Sequence, residues 1–185
     1  MTRAFRIEAV PHDDLGSDDL VALGSLFDAE YLDAFGPWHP AQPYGYAGHD
    51  VNVLAWEGSR LVGHVGWARR RIDVGGTEVA IAGVGGVLVA DLARGRGLGR
   101  RLLDECAVSM EAAGDVDFGF LGCRESVVPF YRACGWHRIS APERSVARDG
   151  STVVVEPGPP LLILPLRTRA DAWPPGTVNL RGRAW

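Results

Sequence analysis

This chain of 185 residues lacks the features that mark several classes of protein. Its first residues, "MTRAFRIEAVPHDD", contain no apolar segment typical of a secretion signal, and no uninterrupted apolar run approaches membrane-spanning length. The formal net charge of −4 argues against a general nucleic-acid binder. We therefore expect a cytoplasmic protein whose partners are neither membranes nor nucleic acids.

Cysteine is scarce, with only Cys106, Cys123 and Cys134 in the whole chain. Their number is odd and their spacing matches no paired zinc-ligand motif, which argues against a disulfide framework and a structural zinc site. We interpret the three as reduced, mostly buried thiols and expect no metal.

The remaining composition is that of an ordinary globular protein, with 46% hydrophobic and 23% charged residues. No internal repeat or compositional boundary interrupts the chain, so we expect one domain over residues 1–185. Strand-like runs and hairpin turns alternate with helical segments, which predicts an α/β fold. We predict a strand from Arg3 to Val10, a helix from Ser17 to Leu32 capped by Ser17, and a long loop rich in proline, glycine and aromatic residues after it.

One stretch combines glycine and arginine directly before an amphipathic helix: "VADLARGRGLGRRLLDECAVSM", from Val89 to Met110. Helix starts carry unpaired N–H groups, glycines leave those amides accessible, and arginines add phosphate donors. The pattern favours a phosphate cradle, although a solvated glycine-rich turn remains the alternative. It is not a P-loop, because no Gly-Lys-Ser/Thr follows, and its glycine spacing differs from that of the dinucleotide fingerprint.

These residues resemble a known family. Arg94-x-x-Gly97-x-Gly99 is similar to the Arg/Gln-x-x-Gly-x-Gly/Ala motif of the GCN5-related N-acetyltransferases, and "FYRACGW" from Phe130 to Trp136 resembles that family's second motif. The resemblance covers roughly Arg60 to Ile139, with both motifs in the expected order. It implies a mixed, mostly antiparallel sheet of about seven strands, splayed between strands 4 and 5 and flanked by about four helices. It also implies a homodimer, since family members are often dimers.

The resemblance implies acetyl-CoA as acyl donor and no metal. The amides of Val87 and Val89 would pair with the pantetheine arm like an added strand, and the glycines Gly85 and Gly86 would mark a bulge that opens the sheet. Amides from Gly95 to Arg100 would hold the pyrophosphate. The implied donor-binding residues are Val87, Leu88, Val89, Arg94, Gly95, Arg96, Gly97, Leu98, Gly99 and Arg100.

Acyl transfer needs a neutral amine, a polarised carbonyl and a proton for the leaving thiolate. Backbone amides near Leu88 are candidates for the polarising donors. Tyr131 matches the tyrosine that serves as general acid in the family, and a core aromatic role is the alternative.

Two subgroups of the family resemble this chain. The region "LVGHVGWARRRIDVGGTEVAIAGVGGVLV", with His64 and Arg69-Arg70, is similar to the aminoglycoside 2'-N-acetyltransferases, as is the closing Trp185. That subgroup has a strand-4 glutamate where this chain has Gly85. The segment "LLILPLRTRADAWPPGTVNLRG" resembles the nodulation N-acyltransferases, which move fatty acyl chains onto a chito-oligosaccharide amine.

Both subgroups imply an amino-sugar acceptor. We expect Asp33, Trp38 and Trp185 to bind it, with Asp28, Glu30, Asp33 or water as the base. The primary hypothesis is acetyl transfer to an aminoglycoside-like primary amine, an antibiotic-resistance activity. The alternatives are a nodulation-type enzyme with a longer acyl donor, and a non-catalytic CoA-binding module.

Overall fold

The structure is a computed structural model that describes residues 4–155 and 158–185. In those ranges it contains ten β-strands and three α-helices, besides short 3-10 turns. The strands are β1 (Arg6–Pro11), β2 (Val51–Glu57), β3 (Arg60–Val74), β4 (Thr77–Val89), β5 (Phe118–Gly122), β6 (His137–Ile139), β7 (Glu143–Val146), β8 (Thr152–Val155), β9 (Leu161–Pro165) and β10 (Val178–Asn179), and the helices are α1 (Ser17–Phe35), α2 (Leu98–Ala113) and α3 (Val128–Ala133).

The predicted α/β class is confirmed, and the described residues hold ten strands and three α-helices where about seven and about four were expected. The extra strands are short. β7 and β8 pair antiparallel as a short hairpin between β6 and β9, and two-residue β10 pairs with both β3 and β7. Strands this short form only with partners that sequence periodicity does not reveal.

The first helix differs from the prediction in its N-cap and in its last residue. Its N-cap is Gly16 and not Ser17, and the Gly16 N–H donates to the Asp19 carboxylate at 3.0 Å. The helix runs three residues past Leu32 to Phe35, and its C-cap is Gly36, whose φ of +78° suits glycine. Of the predicted first strand, Arg3 lies outside the described residues.

The ten strands are hydrogen-bonded into one mixed sheet, in the order β6-β9-β5-β4-β3-β10-β7-β8, with β2 also on β3 and β1 on β2. Most pairings between the described strands are antiparallel, as predicted, while β4–β5 and β10–β7 are parallel. The β4–β5 ladder runs from Ile81–Phe118 to Gly83–Phe120, while β4 itself continues to Val89. A ladder that stops partway along β4 is what a sheet splayed at this point requires.

The described residues form two compact units, one of residues 4–68 with 85–109 and one of residues 69–84 with 110–185. In the first unit, α1 packs its apolar face on β2, β3 and β4. In the second unit, residues of β3, β4, β5, β9 and β10 share another core. The first core consists of Leu23, Leu26, Phe27, Leu54, Trp56, Leu61 and Leu88, and the second of Ile72, Val74, Val79, Ile81, Phe118, Phe120, Leu161, Ile163, Val178 and Leu180. That residues 1–185 form one domain stays a prediction.

The three cysteines are free, with Cys106 buried and the other two half-buried. No helix in the described ranges is both long enough and apolar enough to cross a bilayer.

Candidate functional site

The end of β4 presents one backbone edge away from β3. The Ala90 N–H donates to the Val62 carbonyl of β3 at 2.9 Å. Because N–H directions alternate along a strand, the amides of Val87 and Val89 point to the opposite edge and that of Leu88 points toward β3. The Leu88 side chain is buried in the first core. The alternation thus selects Val87 and Val89 as the amides that an added strand could meet.

Arg94 folds back onto the end of β4. Its Nε donates to the Val89 carbonyl at 3.0 Å, and its guanidinium also pairs with Glu30 at 3.2 Å and with Asp91. These contacts hold the loop after β4 against α1 and against the strand it leaves. Arg94 therefore stabilises the loop, and its guanidinium is paired with two carboxylates of the protein, those of Glu30 and Asp91.

The loop reaches α2 through two glycines in the left-handed region, Gly95 and Gly97, each with φ of +73°. A Cβ on either glycine would have no atom within 4 Å, so close packing does not require glycine at these positions. The left-handed backbone conformation is what favours it, and the missing side chain leaves the adjacent amides uncovered. The Arg101 N–H donates to the Gly97 carbonyl at 3.3 Å and closes the first turn of α2. The amides of Leu98, Gly99 and Arg100 lie ahead of that bond, at the positive end of the helix dipole.

Two further arginines flank this turn and differ in exposure. Arg96 donates to Glu57 at 2.8 Å and lies over the Phe5 ring at 4.2 Å, with a side chain 27% exposed. Arg100 is 62% exposed and lies 3.9 Å from Asp104. Arg96 is thus part of the packed structure around the loop, whereas Arg100 projects into solvent beside the uncovered amides and can move to an anion.

A pair of imidazoles, those of His49 and His64, lies beside the middle of β4. Fully buried His64 has Nδ1 2.7 Å from the Gly86 carbonyl and Nε2 3.0 Å from Oδ1 of Asn52. His49 stacks obliquely on it, with ring centroids 5.6 Å apart. Burial lowers the pKa of His64 to about 4 and that of His49 to about 3. Both rings are therefore neutral at pH 7.

No local signal in the sequence indicates His49, because it stands in a glycine-containing loop before β2. Only the folded chain brings it beside β3 and β4. His64, by contrast, lies in a strand and is buried in the core, where its ring nitrogens face the Gly86 carbonyl and the Asn52 side chain.

The acceptor candidates of the first unit lie at and just after the end of α1. Asp33 is exposed. The Trp38 ring stacks on Phe27 with centroids 5.5 Å apart, and the backbone N–H of Trp38 donates to the Asp28 carboxylate at 2.8 Å. Glu30 is paired with Arg94. Of the three carboxylates considered as the base, Asp28 and Glu30 thus have structural partners.

The second unit holds the other two predicted residues. Tyr131 is 7% exposed, and its ring contacts Phe130 and Trp136 with centroids 5.3 and 6.0 Å apart. Trp185 packs under the guanidinium of Arg70, 3.8 Å from its ring centroid. A Cβ on Gly83 would lie 2.2 Å from the Trp185 ring, so only glycine leaves room for it.

Arg70 also fastens the segment before Trp185. It donates to the carbonyls of Leu180 at 3.3 Å and Arg183 at 2.6 Å. The second unit thus joins Trp185 to β3 and β4 through Arg70 and Gly83, while Asp33 and Trp38 belong to the first unit.

The family model for Nodulation protein A (NodA) matches residues 11–183. The chain belongs to the NodA family. Nodulation protein A of Azorhizobium caulinodans is 28% identical to it over 176 residues, which cover 88% of this chain and 76% of that protein. Of the two subgroup resemblances in the sequence, the family match thus agrees with the nodulation-type one.

Solved structures share the fold. Escherichia coli ElaA superposes with a TM-score of 0.62 at 18% identity, covering 86% of this chain and 98% of that one. The GNAT family N-acetyltransferase YhbS of Escherichia coli, in complex with CoA, has a TM-score of 0.62 at 15% identity and covers 97% and 92%. An acyl-CoA N-acyltransferase from Pseudomonas aeruginosa has a TM-score of 0.59 at 17% identity and covers 87% and 99%. The expected fold of the GCN5-related N-acetyltransferases is confirmed.

Proposed function

We propose that this NodA-family protein is an N-acyltransferase that moves an acyl group from an acyl-CoA to an amine of an amino sugar. The proposal depends on one observation, a continuous row of backbone N–H donors in the first unit. The outward edge of β4 at Val87 and Val89 leads directly into the uncovered amides between Gly95 and Arg100.

This continuity matches the shape of a pantetheine thioester. The pantetheine arm has amide groups that pair with a strand edge, and the pyrophosphate is an anion suited to a helix N-terminus. Arg100 would add charge to the pyrophosphate site, while Arg94 and Arg96 would maintain the loop. The fold likeness to a protein with bound CoA supports the same donor.

The reaction follows from these contacts. The amine lone pair attacks the thioester carbonyl carbon and forms the C–N bond, while backbone amides at the β4 edge stabilise the developing oxyanion. The C–S bond then breaks and its electron pair leaves with sulfur. The Tyr131 hydroxyl donates the proton to the thiolate, in the role that the family resemblance implies.

Family membership favours a nodulation-type acceptor, the free amine of a chito-oligosaccharide. The aminoglycoside hypothesis retains the resemblance around His64 and Arg69-Arg70 and predicts an acetyl donor. Under either hypothesis Asp33 would attract the cationic sugar and Trp38 would offer a ring face to it. A role for Trp185 in binding the acceptor stays a prediction from the subgroup resemblance.

A coupled assay separates these activities. CoA release from acetyl-CoA, octanoyl-CoA and palmitoyl-CoA is followed with glucosamine, deacetylated chitotetraose or kanamycin, and products are identified by mass spectrometry. Transfer of a long chain to chitotetraose supports the nodulation type, and acetyl transfer to kanamycin supports the aminoglycoside type. CoA binding by calorimetry without release to any amine would instead support the non-catalytic CoA-binding module.

Two predictions about the intact protein accompany the proposal. The protein is expected to be a homodimer, which sedimentation velocity measures directly. It is expected in the cytoplasm, which cell fractionation tests.

A further inference from the structure

The imidazole of His49 occupies space above β4 that a side chain would otherwise fill. A Cβ on Gly86 would lie 3.2 Å from Cε1 of His49 and 3.0 Å from the His64 ring. Gly86 has φ of +60°, a conformation that favours glycine. The His49 ring thus occupies the space that a side chain at position 86 of β4 would fill, although His49 is distant from β4 in the sequence.

A second glycine makes room for the same ring. A Cβ on Gly66 of β3 would lie 2.3 Å from Cγ and Nδ1 of His49, closer than any real contact. His49 is therefore seated between two glycines on neighbouring strands, with His64 beside it. This fit fixes the position of the ring without using its nitrogens.

The two ring nitrogens of His49 have no hydrogen-bond partner in the described ranges, and the residue is only half-buried. His64 differs, since its Nδ1 faces Gly86 and its Nε2 faces Asn52. Of the two neutral rings, His49 is thus the one with a lone pair available to a molecule from outside.

The site lies where the proposed donor would react. This step rests on the proposed function. With the pyrophosphate at Gly95 to Arg100 and the pantetheine arm along Val89 and Val87, the thioester lies further back along β4, toward Gly86. The amine that attacks it must release a proton there, and this chain has Gly85 where the aminoglycoside subgroup has its strand-4 glutamate.

We propose that His49 is the catalytic base of this acyltransferase and accepts the proton of the attacking amine. As the amine nitrogen bonds to the carbonyl carbon, it becomes cationic. When the C–S bond breaks with both electrons on sulfur, that nitrogen becomes strongly acidic, its N–H proton passes to a ring nitrogen of His49, and the amide product forms. The imidazolium then returns its proton to solvent.

The test uses His49→Ala in the full chain, with His137→Ala as control because His137 is exposed on β6 in the second unit. Both are assayed with the acyl-CoA and amino sugar that the wild-type protein uses, with and without added imidazole. We expect His49→Ala to lower kcat by about 10²-fold with unchanged CoA affinity, and imidazole to restore part of the rate. His137→Ala should behave like the wild-type protein.

Three outcomes would overturn this role. They are an unchanged kcat in His49→Ala, a loss that imidazole does not restore, and a loss of CoA binding equal to the loss of rate. His49→Gln keeps a polar side chain of similar size and should fold like the wild-type protein, so full activity in it would also contradict the proposal. A wild-type protein that transfers nothing to any amine would instead refute the proposed function itself.

Discussion

Nδ1 of His64 donates a 2.7 Å hydrogen bond to the carbonyl oxygen of Gly86. The bond joins a buried side chain of β3 to the one left-handed residue of β4. It holds the backbone in the conformation that precedes Val87, the first proposed pantetheine contact. Stability and donor binding should therefore respond together when this bond is removed.

Replacing His64 by asparagine or leucine tests the bond. Asparagine carries an N–H close to the position of Nδ1, whereas leucine has a similar size and no donor. We expect His64→Leu to lower the free energy of unfolding by about 1–3 kcal/mol more than His64→Asn, because it leaves the buried Gly86 carbonyl unpaired. Urea unfolding measures the difference. Equal stability of the two variants would show that the bond is unimportant.

The buried imidazoles make stability depend on pH. Burial lowers the pKa of His64 to about 4 and of His49 to about 3, from an ordinary value of 6.5. Below pH 6.5 the unfolded chain binds protons that the folded chain does not, so the free energy of unfolding should fall as pH drops toward 4. The slope approaches about 1.4 kcal/mol per pH unit for each histidine once the unfolded imidazole is almost fully protonated, near pH 5, and is smaller above that.

Urea unfolding at pH 7, 6 and 5 measures that slope. His64→Asn removes one titrating group and should show a shallower decline than the wild-type protein. The same decline in both would mean that His64 is not the group responsible.

Gly97 has a matched control in Gly114. Both have φ of +73° and open space at the Cβ position, but Gly114 follows α2 and Gly97 precedes it. Alanine should cost about 1 kcal/mol of stability at either site through left-handed strain. Only Gly97→Ala should weaken CoA binding, by about tenfold, because its Cβ covers the uncovered amides. Calorimetry with CoA decides, and equal affinity in the two variants would refute the pyrophosphate site.

Tyr131→Phe removes only a hydroxyl. If that hydroxyl protonates the thiolate, kcat should fall by about 10²-fold while CoA affinity stays unchanged. Tyr44→Phe is the control, because the Tyr44 hydroxyl is buried without a partner in the described residues and its loss should not destabilise the fold. Steady-state release of CoA measures both. A Tyr131→Phe protein with wild-type kcat would remove Tyr131 from the mechanism.

The local features of this protein follow from its sequence alone. The glycines before α2, the hairpin turn at Gly75 and Gly76, and the apolar spacing of α1 all depend on interactions among neighbouring residues. The motif from Arg94 to Gly99 therefore predicted the strand, loop and helix order, and with Phe130 to Trp136 it predicted the fold.

Tertiary structure alone decided the rest. Two-residue β10 forms only because the distant strands β3 and β7 complete its hydrogen bonds, and the short hairpin of β7 and β8 has no periodicity that predicts it. Arg94 looks like a phosphate ligand in the sequence, yet it is bound to Val89 and Glu30 once the chain folds. His49 reaches β4 only because Gly66 and Gly86 leave room for its ring. Space of this kind between two strands cannot be recognised from the order of residues in the sequence.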